Sequence, residues 1–362
     1  MSGAELVIVG AGPAGLTAAL ESAKSGVEVV LIDENERPGG QLFKQIHKFF
    51  GSEEHQAGRR GYEIGYELLD KCKEAGVKIM LNTTVWGIFN KNTLGLVTQN
   101  KTKILQAKNI ILATGASENP LAFPGWTLPG VMGAGAAQTM INIHRVLPGR
   151  RILMVGSGNV GLIVTYQLLQ AGAKVVAVLE AMPKVGGYQV HASKIRRAGV
   201  PILTSCTVVE AKGADSVDEA IICSLDSQGK NIKHTEKKLK IDLICLAVGL
   251  SPLAELCWMA GCKFKYLSAL GGHIPVHDEY MQTSIDGLYV AGDLAGVEEA
   301  STAMEEGRLA GVAVAHSLGY ITKQEMEERK KVIWDSLQFL RTGPFGEMRQ
   351  KAKNELIKKW SK

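Results

Sequence analysis

Short apolar runs that end in glycine-rich turns recur along this chain. Near the start, the run LVIV leads into GAGPAG and then into the apolar stretch LTAAL. Further along, RILMV leads into GSGNVG and then into LIVTYQLL. A compact apolar run indicates a buried strand, and a longer apolar stretch indicates a helix. Each segment therefore predicts a strand, a tight turn and a helix.

The two segments read as copies of one unit. With an offset of 146 residues, the motif glycines Gly10, Gly12 and Gly15 face Gly156, Gly158 and Gly161, and VEVVLIDE faces AKVVAVLE. With one extra residue, GGQ at Gly39 faces GGY at Gly186, and the strands NIILATG and LICLAVG close the two halves. The duplication predicts an α/β fold with two Rossmann-like βαβ dinucleotide-binding domains.

The second domain is expected to be inserted into the first. The predicted segments are 1–118 for the first domain, 119–250 for the second, and 251–362 for the return to the first domain with C-terminal helices. The stretch PLAFPGWTLPG is the predicted hinge, because proline and glycine interrupt regular structure.

The first glycine motif has the chemistry of a dinucleotide cradle. Its glycines permit a sharp turn, a close approach of phosphate to the backbone, and tight packing of helix on strand, while the helix N-terminus attracts an anion. Asp33 and Glu34 follow Gly15 by 18 and 19 residues, where a carboxylate accepts from ribose hydroxyls. Asp33 is favoured and Glu34 is the alternative. The predicted binding residues of the loop are Gly10, Gly12, Pro13, Ala14 and Gly15.

A later strand favours a flavin over a nicotinamide at this cradle. The segment GLYVAGD ends at Gly292 and Asp293, and that carboxylate is expected to accept from the ribityl hydroxyls. The long helix that follows begins near Ala300 and Ser301. Its N-terminal dipole would stabilise negative charge on a reduced flavin. The predicted cofactor is FAD.

Composition and charge narrow the class of protein. The 362 residues carry a formal net charge of +5 and 6% aromatic residues. The segment from Ile321 onward holds eleven basic and six acidic residues, so the rest is nearly neutral. This argues against a nucleic-acid surface. No signal peptide or apolar run of about 18 residues is seen, so no membrane span is predicted. Six scattered cysteines indicate a cytoplasmic protein.

Two other kinds of site are not predicted. No glycine-flanked nucleophile motif is present, which argues against hydrolase chemistry. His273 and His277 are expected on one face of a strand but have no companion at metal-ligand spacing, so no metal site is predicted. No catalytic side chain is assigned.

Five ordered motifs carry a family resemblance. GAGPAG, PGGQL, LATGA, GSGNVG and YVAGD resemble the flavoproteins with two dinucleotide-binding domains, such as thioredoxin reductase, over residues 5–318. The resemblance implies an FAD-binding domain from the first and last segments and an NAD-binding-like domain from 119–250. It also implies that FAD is approached by Gly39, Gly40 and Gln41, bordered by Ala113, Thr114 and Gly115, and bound by Asp293.

The chain departs from thioredoxin reductases at the redox dithiol. No CxxC occurs, and Ala134 and Ala137 stand where the thiols are expected. The segment FPGWTLPGVMGAGAAQ more closely resembles the corresponding part of the FAD-containing alpha subunits of heteromeric amine and amino-acid dehydrogenases. These enzymes include hydrogen cyanide synthase, opine oxidase, dye-linked proline dehydrogenase and sarcosine oxidase. No cysteine follows Cys262 in this sequence, so the iron–sulfur segment of many such subunits is not expected in it. The resemblance implies partner subunits that take part in catalysis or electron transfer.

The second cradle is expected to hold NAD(H) or another adenine nucleotide. Its predicted binding residues are Gly156, Gly158, Asn159, Val160, Gly161 and Glu180. No arginine cluster follows Glu180, which favours NAD over NADP. In the heteromeric relatives such a site can hold a nucleotide without hydride transfer, so use of this site stays open.

The sequence leaves several functions and segments open. We expect an FAD-dependent oxidoreductase that acts on a small molecule as an alpha-type subunit of an oligomer. The alternatives are a stand-alone NADH:acceptor oxidoreductase and a non-catalytic nucleotide-binding assembly subunit. In the insertion after Gln41, His47, Lys48, Phe49 and Phe50 are candidates to contact the flavin, or form a surface loop. The C-terminal apolar residues dock a partner or pack on the first domain: Trp334, Leu337, Phe339, Leu340, Leu356, Ile357 and Trp360.

Overall fold

The computed structural model describes residues 3–49, 52–90, 92–343 and 346–358. The chain divides into two compact units. Unit 1 is Met1–Ser117 with Ser251–Lys362, and unit 2 is Glu118–Leu250, so the second unit is inserted into the sequence of the first. The predicted α/β class with parallel sheets is confirmed.

Unit 1 begins with a sheet that is parallel on one side and antiparallel on the other. Its first elements are β1 (Gly3–Val9), α1 (Pro13–Lys24), β2 (Val29–Ile32), α2 (Gly61–Glu74), β3 (Lys78–Met80), β4 (Thr83–Phe89), β5 (Thr93–Thr98), β6 (Lys101–Leu112) and β7 (Ala116–Glu118), with short 3-10 helices at Gly40–Lys44 and Glu53–His55. The strand order is β3-β2-β1-β6-β5-β4. Val9 pairs with both Ile32 and Leu112, so β1, β2 and β6 end level with one another.

Unit 2 repeats the parallel arrangement. Its elements are β8 (Val131–Gly133), α3 (Ala134–Thr139), a π-helical turn (Met140–His144), β9 (Arg151–Val155), α4 (Asn159–Gln170), β10 (Lys174–Leu179), α5 (Gln189–Arg197), β11 (Ile202–Leu203), β12 (Cys206–Lys212), β13 (Glu219–Ser224), β14 (Lys237–Lys240) and β15 (Leu243–Leu246). Strand β16 (Leu250–Pro252) begins at the last residue of this unit and continues into unit 1. The parallel sheet has the order β11-β10-β9-β15-β8, and β12, β13 and β14 form a separate antiparallel sheet.

The chain then completes unit 1. The remaining elements are α6 (Glu255–Met259), β17 (Phe264–Leu267), β18 (Gly272–Pro275), β19 (Leu288–Val290), α7 (Ala300–Ser317), α8 (Lys323–Leu340) and α9 (Glu347–Lys358), with 3-10 helices at Ser268–Leu270 and Gly292–Ala295. Strand β19 pairs in parallel with β6, with Val290 opposite Leu112. The turn after β19 therefore leaves the sheet at the same edge as the loop after β1.

Apolar strands and two closely packed helices form the core of unit 1. All four residues of β2 are buried, as expected for a parallel strand covered on both faces. Helix α7 lies against α1 with little space between their backbones. A Cβ at Gly307 would be 2.1 Å from the Ala14 carbonyl oxygen, and one at Gly311 would be 2.8 Å from that of Ala18. The two glycines permit this close packing.

The structure corrects one expectation and resolves one open point. Strand β18 ends at Pro275, so His273 is exposed on the strand while His277 lies beyond it and is buried. The two histidines therefore do not share a strand face.

In the C-terminal helices, Leu337 and Leu356 are buried in the core, whereas Phe339 is 60% exposed. Trp360 and Phe50 lie outside the described residues. In the part of the chain that is described, no helix is long and apolar enough to cross a bilayer.

Candidate functional site

The first glycine loop joins β1 to α1 and leaves one open face. Gly10 has a φ of +101°, and a Cβ there would be 2.3 Å from the Ala113 carbonyl oxygen. A Cβ at Gly15 would be 1.8 Å from the carbonyl oxygen of Gly10. A Cβ at Gly12, by contrast, would meet nothing within 4 Å. Gly12 is the N-cap of α1, so this open face exposes the end of the helix that attracts a phosphate.

The acid beside this loop is Asp33, the favoured candidate, rather than Glu34. Asp33 is buried, and its Oδ2 accepts a hydrogen bond from the Ala11 backbone N–H at 2.6 Å. Its Oδ1 accepts from the backbone N–H and the side-chain amide of Asn35, both at 2.9 Å. Glu34 is exposed. The geometry therefore ties the end of β2 to the glycine loop through one carboxylate.

The segment after β2 folds back onto the same loop. The Gly39 N–H donates to the Ala11 carbonyl at 2.6 Å, and a Cβ at Gly40 would be 3.0 Å from the Cα of Gly12. Gln41 follows and is exposed. The insertion then returns toward α7, because Leu42, Phe49, Ile64 and Met304 form one buried cluster. Phe49 is thus a packing residue of unit 1, while Lys48 is exposed.

The residues after β6 also lie against the first glycine loop. Ala113 is buried beneath Gly10. The Thr114 hydroxyl donates to the Leu253 carbonyl at 2.6 Å, and the Leu253 N–H donates to the Gly115 carbonyl at 2.9 Å. The strand end is therefore held by the chain that returns to unit 1, and the Thr114 side chain is already bonded within the protein.

The turn after β19 lies against the start of α1. A Cβ at Gly292 would be 2.8 Å from the Cβ of Ala14 and 3.4 Å from that of Ala303 in α7. Burial raises the pKa of the neighbouring Asp293 to about 6, helped by the nearby carboxylates of Glu306 and Glu299, while the Glu298 N–H opposes this shift. Helix α7 begins at Ala300, and Ser301 in its first turn is buried. The structure thus brings the glycine loop, the Gly39–Gly40 segment and the Gly292 turn together at the start of α1.

Four charged residues behind this turn were missed by the sequence analysis. Arg341 bonds to Glu298 and to Glu306, and Lys353 also bonds to Glu306. Glu306, an acid within the mostly apolar helix α7, was a signal that could have directed attention to this helix. Arg341 and Lys353 carried no such signal, because they lie among many surface cations of the basic C-terminal segment.

The second glycine loop, in unit 2, has nearly the same backbone. Gly156 has a φ of +106°, and its Cβ would be 2.1 Å from the Ala247 carbonyl oxygen. A Cβ at Gly161 would be 2.1 Å from the Gly156 carbonyl oxygen, while one at Gly158 would meet nothing within 4 Å. Gly158 is the N-cap of α4, so this loop also exposes the end of a helix.

The acid of the second loop occupies the place of Asp33. A bulge between Val175 and Ala177 adds one residue to β10. Leu179 therefore pairs with Val155 as Ile32 pairs with Val9, and Glu180 comes next as Asp33 does. The constant offset of 146 residues, which sets Glu180 opposite Glu34, is wrong at this point because the bulge shifts the register.

A serine side chain reinforces the second loop. The Ser157 N–H and hydroxyl both donate to Glu180 Oε2, at 3.0 and 2.5 Å, and the Ser157 Oγ accepts from the Gly186 N–H at 3.0 Å. The Tyr188 N–H donates to Asn159 Oδ1 at 2.8 Å. Val160 is exposed in the first turn of α4. The Asn159 side chain is thus used to hold the GGY segment.

The two positions expected for the redox thiols are alanines, and the sequence has no CxxC pair. All six cysteines are buried. Burial raises the pKa of the Cys72 thiol to about 12. Ala134 and Ala137 are fully buried in unit 2. Within the described ranges, no group of three or more His, Cys, Asp and Glu residues is placed to hold a metal ion.

Comparison with known proteins agrees with this geometry. The family model for pyridine nucleotide-disulphide oxidoreductases matches residues 4–307. The chain belongs to this family. Its members typically bind FAD, and the chain is accordingly an FAD-dependent oxidoreductase. The resemblance inferred from the five motifs is confirmed.

Two curated relatives are subunits of larger enzymes. The chain is 30% identical to the A subunit of opine oxidase from Agrobacterium tumefaciens (strain Ach5) over 348 residues, which cover 88% of this chain and 67% of that relative. It is 28% identical to the HcnB subunit of hydrogen cyanide synthase from Pseudomonas aeruginosa over 344 residues, covering 90% of this chain and 74% of that one. The chain thus spans about two thirds to three quarters of these relatives.

A solved structure shares the fold. Thioredoxin reductase from T. acidophilum superposes with a TM-score of 0.71 at 23% identity, covering 87% of this chain and 98% of that one. At this identity the likeness concerns the fold. The predicted pair of dinucleotide-binding domains in a thioredoxin-reductase-like arrangement along the chain is confirmed.

Proposed function

We propose that this chain is the FAD-binding, alpha-type subunit of a multi-subunit amine or amino-acid dehydrogenase that works without a redox disulfide. The observation that carries the proposal is that two segments of unit 1 meet the first glycine loop beside the open face of Gly12. The Asp33–Gly40 segment bonds to Ala11, and the turn that holds Asp293 packs on Ala14 at the start of α1. The names of the two curated relatives, both subunits, support the assembly.

The residues of unit 1 fit FAD in charge and in shape. The face at Gly12 is open where a pyrophosphate would approach the end of α1, whereas a Cβ at Gly10 or Gly15 would overlap backbone atoms. We assign Asp33 to the ribose hydroxyls and Asp293 to the ribityl chain. Bound FAD supplies the two-electron chemistry. The protein binds and orients it, and the first turn of α7 directs a partial positive charge toward it.

The absence of thiols at the expected positions supports a dehydrogenase over a disulfide reductase. Exchange with a disulfide requires an accessible thiolate and a second thiol to resolve the mixed disulfide. Ala134 and Ala137 hold the expected positions and are fully buried. Electrons from a small amine or amino-acid substrate would then pass to a partner subunit or directly to an acceptor.

The second loop supports an alternative, a stand-alone NADH:acceptor oxidoreductase. Its glycines, open N-cap and locked acid match the first loop closely. We propose that it binds NAD(H) or another adenine nucleotide through Gly158 and Glu180. A subunit whose nucleotides serve only assembly is the remaining alternative.

Anaerobic reduction separates these functions. NADH is added to the purified yellow protein, and the visible flavin absorbance is followed. For the proposed subunit, NADH alone leaves the absorbance unchanged, and a co-purified partner with an amino acid bleaches it. Bleaching by NADH alone favours the reductase, and no bleaching under either condition favours the assembly role. A colourless protein that cannot be reconstituted with FAD contradicts all the catalytic proposals.

A further inference from the structure

Three buried charged side chains lie behind the Gly292–Ala295 turn. Glu306, Arg341 and Lys353 are 2%, 3% and 0% exposed. Lysine is almost never fully buried unless it is paired. The family match ends at residue 307, so Arg341 and Lys353 come from the segment after it. The C-terminal helices therefore supply both cations to a cluster whose acids belong to the matched region.

The contacts of Glu306 and Lys353 lead directly to the turn. Glu306 Oε2 accepts from the Gly292 N–H at 3.1 Å, and its Oε1 accepts from Lys353 Nζ at 2.6 Å. Lys353 Nζ also donates to the Ala295 carbonyl at 2.8 Å. The two ends of the turn are thus bonded to one buried ion pair.

Arg341 holds the residues that follow the turn. Its Nε donates to Glu298 Oε1 at 3.0 Å, and its Nη2 donates to Glu298 Oε2 at 2.6 Å and to Glu306 Oε1 at 2.7 Å. The Glu298 N–H in turn donates to Asp293 Oδ1 at 3.3 Å. Asp293, the residue assigned to the cofactor, is therefore hydrogen-bonded to Glu298, whose side chain is held by Arg341.

The charges of this cluster balance. Two acids, Glu298 and Glu306, face two cations, Arg341 and Lys353. The neighbouring His277 is buried, and burial together with both cations lowers its pKa to about 3, so it stays neutral. Removing one partner of a buried ion pair leaves an uncompensated charge, which is strongly destabilising. The cluster is consequently sensitive to the loss of either cation.

Helix α9 is docked at the place that positions Lys353. Ala352 and Leu356 on this helix share a small buried cluster with Leu270 and Ile274. Lys351, two residues before Lys353, is exposed. One face of α9 thus packs on unit 1 and directs Lys353 inward.

We propose that α8 and α9 complete the flavin site, with Lys353 and Arg341 as positioning residues that hold the Gly292–Ala295 turn through Glu306 and Glu298. This inference rests on the proposed binding of FAD at the first glycine loop. Loss of Lys353 frees the Ala295 carbonyl and leaves negative charge on Glu306 close to the cofactor. FAD then binds more weakly, and its reduction, which adds negative charge, becomes less favourable.

The test compares Lys353→Met with Lys351→Met, its exposed neighbour on the same helix. Full-length apoprotein is titrated with FAD by fluorescence quenching, and the midpoint potential of the bound flavin is measured with a reference dye. Lys353→Met should weaken FAD binding by about tenfold or more, which corresponds to roughly 1.4 kcal/mol, and shift the potential to more negative values. Lys351→Met should match the wild type in both measurements.

A second variant keeps the test valid if the first does not fold. Glu306→Gln with Lys353→Met removes a balanced pair and leaves Arg341 with Glu298. The Ala295 carbonyl still lacks its donor, so weaker FAD binding is again expected, with a smaller change in potential. Wild-type affinity and potential in either folded variant would overturn the inference. A wild-type protein that binds no FAD would instead overturn the proposed function.

Discussion

The two glycine loops have nearly the same backbone but are completed in different ways. In both, a carboxylate from the next strand accepts from the second residue of the loop, Ala11 or Ser157. The first loop also receives Gly292, which follows it by more than 270 residues of sequence. The second loop is contacted by Gly186 and Tyr188, which lie close in sequence, as Gly39 and Gly40 do for the first loop. Two glycine loops of similar backbone are thus completed by different parts of the chain.

The difference extends to how each acid is held. The Asp33 carboxylate accepts from the Ala11 N–H and from two groups of Asn35. Glu180 is one methylene longer and is held additionally by the Ser157 hydroxyl. The longer acid follows a bulged strand, and the shorter one a regular strand. The two loops therefore reach similar geometry through different side chains.

The largest expected effect comes from replacing the first glycine of each loop, in separate variants, with a residue that does not fit. Valine at Gly10 would force a β-branched side chain into a φ of +101° and place its Cβ 2.3 Å from a carbonyl oxygen. Gly10→Val should reduce FAD content by about tenfold or more, since such strain and overlap cost several kcal/mol. Gly156→Val should leave FAD in place and abolish NAD(H) binding. Flavin absorbance per protein and NADH titration measure the two outcomes. Loss of FAD in Gly156→Val would contradict the assignment.

Neutralising the two acids should have the next largest effect. In Asp33→Asn, one carboxylate oxygen becomes an amide NH2 group, which faces a backbone N–H instead of accepting its hydrogen bond. FAD affinity should therefore fall by about tenfold, because a hydrogen bond to a charged group contributes roughly 1.5–3 kcal/mol. Glu180→Gln should weaken NADH binding and leave FAD binding unchanged. Glu34→Gln, at an exposed position, is the matched control. A stronger effect at Glu34 than at Asp33 would reverse the assignment.

Asp293 provides a pH-dependent test that belongs to the first site alone. Its pKa is raised to about 6 in the folded protein from an ordinary value of 3.8. Its contribution to stability is therefore present in full below about pH 4 and is lost as the pH rises through about 6. Asp293→Asn should raise the melting temperature of the apoprotein by about 2 °C or more at pH 7, with little gain at pH 4. Asp335→Asn, at an exposed site, should show no such pH dependence.

The smallest expected effect is that of the second-loop serine. Ser157→Ala gives this loop the residue type that the first loop has at Ala11, and removes a bond to Glu180 and one from Gly186. NADH affinity should fall about fivefold, consistent with roughly 1 kcal/mol for a hydrogen bond. FAD affinity serves as the internal control. An unchanged NADH affinity would show that the hydroxyl does not support this site.

Much of the first site could be predicted because its signals are local. The glycine spacing, the apolar strands and the acid after β2 lie within one stretch of sequence, and short-range backbone geometry dictates each of them. The Gly292–Asp293 turn was also predicted, from a motif. The choice between Asp33 and Glu34 required the structure, because only the fold decides which of these two adjacent side chains after β2 faces the glycine loop.

The amino-acid sequence by itself determined the family, the duplicated unit and the positions of both glycine loops. These follow from local patterns whose physical cause is the same wherever they occur. Only the tertiary structure decided that a bulge aligns Glu180 with Asp33, and that Lys353 is buried while Lys351 is exposed. Strand register and the direction of a side chain on a docked helix depend on contacts between residues far apart in sequence, which composition and spacing do not encode.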